Sequence, residues 1–571
     1  MVQPQTEHAT ADGLAPQAWI CRFSEPLGAA SAAPPATRSL AGLRFAVKDN
    51  IEVQGHPVTA ACPAFSHPAT AHASVVHKLL DAGALCVGKT NLDQFACGLN
   101  GTRSPYGAVP NAFNPNYISG CSSSGSAYVV ATGQVDFALG TDTAGSGRVP
   151  AGLNNIVGLK PSKGLLSLHG VVPAAQSVDC VSIFARTVGL AAQVLQVCMG
   201  FDSRDPYSRQ ISLKRNSWGN KFTFGIPDVL DFAGDAMAQT EFEKAVAHLE
   251  QLGGTAVQID FSPLAKTASM LYDSALLAER YSGIQAFFDA HEGEVMEPVR
   301  SIIAKGKSYS AADLCEAQSQ LRALAQQTQT LWRNMDVLLV PTAPTHYTIA
   351  QMQDNPVELN RILGTYTNFV NLLDYAALSV PASIRPDGLP FGVTLIAPSG
   401  SDWQLAELGQ RFHHSTGLLQ GALPLPLPPM AEPIGIENSA VACLPFAVVG
   451  AHLTGMPLNS QLVERGAQLL KATHTAAHYR LYALPNTQPP KPGLKRVTEQ
   501  GSSIAVEVWN IPLHQLGSFL ALIPAPLGLG SLELEDGTWV HGFICEGYAL
   551  EGAQDVTHFG GWRAFVQSRK A

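Results

Sequence analysis

The chain has 571 residues, 46% of them apolar and only 14% charged, a composition that supports large buried cores and argues against a disordered chain. A formal net charge of −9 disfavours nucleic acid or an anionic membrane surface as a partner. The ten cysteines stand singly, with no CxxC pair, so neither a zinc ribbon nor a dithiol redox site is indicated and reduced thiols in a cytoplasm are expected.

The opening residues, MVQPQTEHATADG, have neither a basic n-region nor an apolar h-region, and no run of about 18 apolar residues marks a membrane span. Residues 1–40 are rich in Ala, Pro and Ser and read as a loosely packed arm with little regular structure. A strand is predicted over Leu43–Val47, running straight into Lys48. A lysine at the end of a buried strand is costly to keep charged, and its neutral amine is a competent base; a lysine snorkelling to the surface is the alternative. His72–Gly83 reads as an amphipathic helix closed by Gly83, followed by a strand at Ala84–Val87. This rhythm predicts a mixed sheet covered by helices.

Gly120–Pro150 is the stretch around which the chain is organised: two Gly/Ser loops flank an apolar middle, Ala127–Leu139. The first loop holds Ser122, Ser123, Ser124 and Ser126, and the second Thr143, Ala144, Gly145, Ser146 and Gly147. Glycine lets backbone approach a ligand, inward N–H groups form an anion-binding concavity, and hydroxyls serve as nucleophile or proton carrier. Two ordinary turns would share this composition.

Farther along, a strand ends at Phe224–Pro227, and Asp235–Leu252 has helical periodicity, stopping at Gly253-Gly254. Leu271–Phe288 reads as one helix carrying Tyr272 and Arg280, about 80° apart in azimuth and so able to converge on one ligand. An arginine fork suits a planar carboxylate; an arginine facing solvent is the alternative. Strands are expected at Met335–Pro344, Leu378–Val380 and Phe391–Ile396, and a helix at Trp403–Thr416. His413-His414 has no partner at ligand spacing, so no metal site is expected. Residues 421–445 are proline-rich and read as a semi-rigid linker. After it come short strand-like runs: Phe446–Val449, Tyr479–Leu484, Ser503–Val508, Leu520–Ile523, Ser531–Leu534 and Trp539–Cys545. They predict a mainly β domain.

The motifs AVKDN, GCSSSGS and GTDTAGSGRVP, with Ser122 and Ser146 standing 24 positions apart, resemble the amidase signature family of serine hydrolases. Cys121 and Ser124 depart from the family's usual glycines. The resemblance implies that Ser146 is the nucleophile, that Ser122 relays the proton beside a cis peptide, and that Lys48 is the base. It implies an oxyanion hole of backbone N–H groups around Thr143, Ala144, Gly145 and Ser146. Ser123 and Asp142 would be structural, and Arg148 would tie the loop down.

The pair Tyr272 and Arg280 resembles the carboxylate-recognising pair of the allophanate hydrolase branch of this family. VVGAHLTGMPLN (Val448–Asn459) and FICEGYAL, with Glu546, resemble that branch's C-terminal domain, related to the γ-glutamylcyclotransferase-like fold. The implied organisation is an N-terminal arm over 1–40, an α/β amidase signature domain over 41–420, a linker over 421–445 and the C-terminal domain over 446–571. The implied activity is deamination of allophanate to N-carboxycarbamate and ammonia, with decarboxylation promoted by the second domain. There His452, Asn459 (with Ser460) and Glu546 are the candidates, with a core histidine as the alternative for His452 and His514, His541 and His558 competing. No metal, biotin or nucleotide motif appears, so no cofactor is implied. The implied partners are a small-molecule substrate and a second copy in a homodimer, able to join a larger complex with other pathway enzymes, with no nucleic acid or membrane. An amidase acting on a neutral amide, or an amidotransferase-type subunit, would share the core motifs.

Overall fold

The computed structural model describes residues 14–28, 39–436, 443–485 and 487–569, the His514 side chain excepted. The chain divides into two compact units, Met1–Glu437 and Asn438–Ala571.

The first unit is built on one eleven-stranded mixed sheet. Its order is Trp19–Leu27, Leu85–Thr90, Arg44–Lys48, Phe137–Asp142, Cys180–Ala185, Val157–Lys160, Tyr375–Ile384, Pro390–Pro398, Val337–Pro341, Phe222–Pro227 and Gly254–Ile259. Strands such as Phe137–Asp142 and Val337–Pro341 are buried at every position, so they read as continuous small or apolar runs, not as alternation. The helices Ser74–Asp81, Val188–Cys198, Ala236–Gln251 and Asp402–Ser415 add their apolar faces to the main core.

This topology places the site. Arg44–Lys48 pairs in parallel with both Leu85–Thr90 and Phe137–Asp142, with Val47 opposite Leu139. Parallel neighbours end at the same edge of a sheet. Lys48 and the loop after Asp142 therefore emerge side by side.

Four expectations are corrected. Residues 19–27, placed in an unstructured arm, form an antiparallel edge strand on Leu85–Thr90; an edge strand needs backbone pairing on one side only, so its apolar pattern is weak. Residues 1–13 and 29–38 of that arm lie outside the described residues. Leu271–Phe288 is not one helix. The helix Ser262–Asp273 ends at Ser274, which is extended (φ −132°, ψ 175°), and helices Ala278–Ser282 and Gln285–His291 follow. The proline-rich segment, as far as residue 436, is packed on the first unit. Ala422 N–H donates to Ala131 O, Asn155 Nδ2 donates to Gly421 O, and Ile434 and Ile436 rest on the core.

The second unit pairs a five-stranded sheet, ordered Gln468–His474, Ala505–Pro512, Cys443–Val448, Trp539–Cys545 and Leu527–Glu533, with a three-stranded one of Pro492–Arg496, Tyr479–Ala483 and Gln554–Asp555. It is mainly β and has its own core around Phe446, Tyr479, Val508, Phe519 and Trp562. Its first strand begins at Cys443, inside the stretch read as linker. The fourth correction is Leu520–Ile523. It is the end of the helix Leu513–Leu520 and a following turn, since Phe519 is needed in the core at helical spacing. Among the described residues of both units, no helix is long and apolar enough to cross a membrane.

Candidate active site

Lys48 ends its strand fully buried. Its Nζ donates to Ser122 Oγ at 2.8 Å and to Thr141 Oγ1 at 2.7 Å. Ser122 Oγ donates in turn to Ser146 Oγ at 2.9 Å. The Cys121–Ser122 peptide is cis, and both serines are 1% exposed. Burial lowers the Lys48 amine from the ordinary lysine range to about 8, with Cys121 and the carboxylates of Asp179, Asp93 and Asp142 only partly opposing it. A buried amine with a lowered pKa is thus one hydroxyl, that of Ser122, away from Ser146 Oγ. Cys121, at a position where the family usually has glycine, fits because its Sγ accepts the Asp93 N–H at 3.1 Å.

The loop that presents Ser146 is tied from below. Both Asp142 oxygens meet the Arg148 guanidinium, from Nε and Nη2 at 2.9 Å each, and they also accept from the N–H groups of Gly145 and Gly147. Burial pushes the Asp142 carboxyl up, but Arg148, with Lys160 and the Gly147 N–H, outweighs it and holds the group below its ordinary range. Arg148 continues to Thr367 O and Asn371 Oδ1, and Asn371 Nδ2 returns to Asp142 O. Gly145 has φ +130°, and a Cβ there would lie 2.4 Å from Thr367 Oγ1, so only glycine fits.

One detail departs from the expected oxyanion hole. Gly145 N–H is committed to Asp142 Oδ1, whereas the N–H groups of Thr143, Ala144 and Ser146 make no hydrogen bond among the described residues. Those three are free to meet a developing oxyanion. Ser123 Oγ donates to Thr141 O. Thr141 itself is a contact of Lys48 that the sequence reading did not single out, although it stands directly before Asp142 in the GTD run.

Tyr272 and Arg280 meet, but not as two turns of one helix. Arg280 Cζ lies 5.3 Å from the centre of the Tyr272 ring, and its Nη2 reaches Tyr272 Oη at 3.4 Å. The helix that carries Tyr272 ends at Ser274, before the segment that carries Arg280. Ser274 Oγ donates to Met270 O and accepts from Leu276 N–H, ending one helix and starting the next turn. Arg280 is 4% exposed. Burial disfavours its charge, but Tyr272, Cys97, Asp179 and Glu279 together outweigh that and raise its pKa. Asp179, a residue without a sequence signal, stands in the field of both Lys48 and Arg280. Burial raises its carboxyl to about 6, and it accepts from Thr143 Oγ1 at 2.5 Å.

In the second unit, a small cleft is lined by Val448–His452, Lys491 and Phe543, among others. His452 is buried there between Phe519 and Phe543, its Nε2 2.9 Å from Gln461 Oε1, and burial lowers its pKa. Asn459 Nδ2 donates to His452 O and so holds the loop, with Ser460 opening the short helix after it. Glu546 is exposed and does not line the cleft. His541 and His558 are exposed as well, and the His514 side chain lies outside the described residues. Lys491, unmarked in the sequence, is the cation of the cleft. Among the described residues, no group of three or more His, Cys, Asp or Glu could hold a metal ion.

Residues 15–406 match the Amidase family, and residues 444–567 match the Allophanate hydrolase C-terminal domain. A solved Kluyveromyces lactis allophanate hydrolase is 41% identical, with a TM-score of 0.76 over 97% of this chain and 94% of that one. The urea amidolyase of Saccharomyces cerevisiae is 45% identical over 94% of this chain, which spans 30% of that protein's length. A glutamyl-tRNA(Gln) amidotransferase subunit from a Synechococcus strain is 33% identical over 71% of this chain and 88% of its own. The chain belongs to the amidase family, and its second unit is an allophanate hydrolase C-terminal domain.

Proposed function

We propose that this chain is an allophanate hydrolase. The observation that carries the reading is the buried relay from Lys48 through Ser122 to Ser146, set in one field with the buried Arg280. Allophanate offers an amide to the serine and a carboxylate to the arginine. When Lys48 is neutral the two contacts run in the reverse sense: Ser146 donates to Ser122, and Ser122 to Nζ. Ser146 Oγ then attacks the terminal amide carbonyl as its proton passes to Lys48. The N–H groups of Thr143, Ala144 and Ser146 receive the oxyanion, each worth about 3–4 kcal/mol of barrier. The Lys48 ammonium gives that proton to the amide nitrogen, which leaves as ammonia as the C–N bond breaks, and water repeats the sequence on the acyl-enzyme to release N-carboxycarbamate. We place the enzyme in the cytoplasm, where its unpaired cysteines stay reduced.

The base must be neutral, and its folded pKa is about 8. On the acid side kcat/KM should therefore rise about tenfold per pH unit and level off near pH 8. A profile flat from pH 6 to 9 would remove Lys48 from the role of base.

N-carboxycarbamate carries two carboxylates. The cleft of the second unit offers Lys491 to hold one and buried His452 beside it. His452→Ala should leave ammonia release from allophanate at its wild-type initial rate while slowing carbon dioxide evolution. Equal slowing of both gases would mean that the histidine supports only the fold. An amidotransferase-type component is the second reading, favoured by the likeness to the Synechococcus protein. It requires that the isolated chain release no ammonia from allophanate.

A further inference from the structure

One short turn is bonded to both halves of the site. At its end, Asp179 accepts from Thr143 Oγ1 at 2.5 Å and from the N–H groups of Ala174 and Ala175 at 2.8 and 3.1 Å. The preceding Val178 O accepts from Asn371 Nδ2, which also donates to Asp142 O. The turn is thus tied twice to the loop that presents Ser146, and its own curvature is closed by a buried carboxylate. In its middle, Ser177 donates its N–H to Glu279 Oε1 at 2.6 Å and its Oγ to Glu279 Oε2 at 2.7 Å. Glu279 immediately precedes Arg280 in a five-residue helix. The Arg280 segment follows an extended break at Ser274, so continuity with the helix before it does not set its position.

We propose that the turn Ala174–Asp179 sets the distance between the acylating loop and Arg280, with Glu279 as the positioning residue that registers the arginine. The proposal rests on reading Arg280 as the anchor for the substrate carboxylate. A substrate anchored at one end presents its amide carbonyl at a distance fixed by the protein, and a misplacement of about 1 Å costs on the order of 100-fold in rate. Slack in this link should degrade attack and leave affinity nearly intact.

The test uses the full chain and measures kcat and KM for ammonia release from allophanate and from a neutral amide. Glu279→Ala should lower kcat on allophanate about tenfold, keep KM within about twofold, and lower the allophanate-to-neutral-amide ratio about tenfold, since one well-made link is lost. Glu279→Gln, which keeps an acceptor for Ser177, should recover most of this. Ser177→Ala, which keeps the N–H contact to Oε1, should cost less than Glu279→Ala, and the two combined should cost no more than Glu279→Ala alone, because removing the carboxylate already breaks both contacts. Parallel loss on both substrates, or additive losses, would overturn the proposal. A wild-type chain with no preference for allophanate would instead overturn the reading of Arg280, and the proposal with it. Asp179→Asn should slow both substrates through Thr143; should that variant not fold, the Glu279 and Ser177 variants carry the test.

Discussion

Ser146→Ala is expected to lower turnover of allophanate by about 10⁴–10⁶-fold and to leave the fold standing. The large loss follows from chemistry: without Oγ no acyl-enzyme forms, and what remains is the free N–H groups acting on a bound substrate. The small structural cost follows from the geometry. The hydroxyl makes one hydrogen bond, to Ser122, worth about 1 kcal/mol. The loop is held independently by Asp142, Arg148 and Asn371. Ammonia release and the thermal midpoint, measured on the same preparation, check both halves. An acylating inhibitor should label the wild-type chain at Ser146 and fail to label the variant. Residual turnover within a factor of ten of wild type would show that another group is acylated.

Arg280→Ala is expected to reduce the preference for allophanate over a neutral amide by about 10²–10⁴-fold. Two charge-assisted hydrogen bonds to a carboxylate, at about 1.5–3 kcal/mol each, account for that range. The site has the character such recognition needs. Arg280 is buried and stacked on Tyr272, and Tyr272, Cys97, Asp179 and Glu279 together raise its pKa against the effect of burial. Arg280→Lys keeps the charge and loses the planar fork, so its preference should fall between the two. The comparison of kcat/KM on the two substrates decides the matter. An unchanged ratio would mean that the chain is an amidase indifferent to the substrate's carboxylate.

Local sequence describes some elements of this protein closely and others poorly. Asp235–Leu252 reads as a helix and is one over Ala236–Gln251, because Asp235 caps it and a glycine pair follows. The strand before Lys48 is legible because a short apolar run ends in a charge. The edge strand Trp19–Leu27 is not, since its pairing partner is a distant strand, Leu85–Thr90, and only Trp19 is buried. The convergence of Tyr272 and Arg280 has a different cause from the one their spacing suggests. Helical periodicity would bring them together, but a serine that bonds its own neighbours breaks the helix and a turn from elsewhere holds the second segment.

The sequence by itself determined the chemistry on offer. Three motifs in order and spacing carry the resemblance to the amidase signature family, and that resemblance implies a base, a relay hydroxyl and a nucleophile beside a glycine-rich loop. Only the tertiary structure decided which backbone N–H groups are free and which histidine is buried in a cleft. It also decided that Asp179 and Thr141 lie beside the Lys48–Ser122–Ser146 relay and that Lys491 lines the cleft with His452. Those are matters of desolvation and of contacts between distant segments, and a buried carboxylate or lysine acquires its altered acidity from whatever the folded chain packs against it, not from its neighbours along the chain.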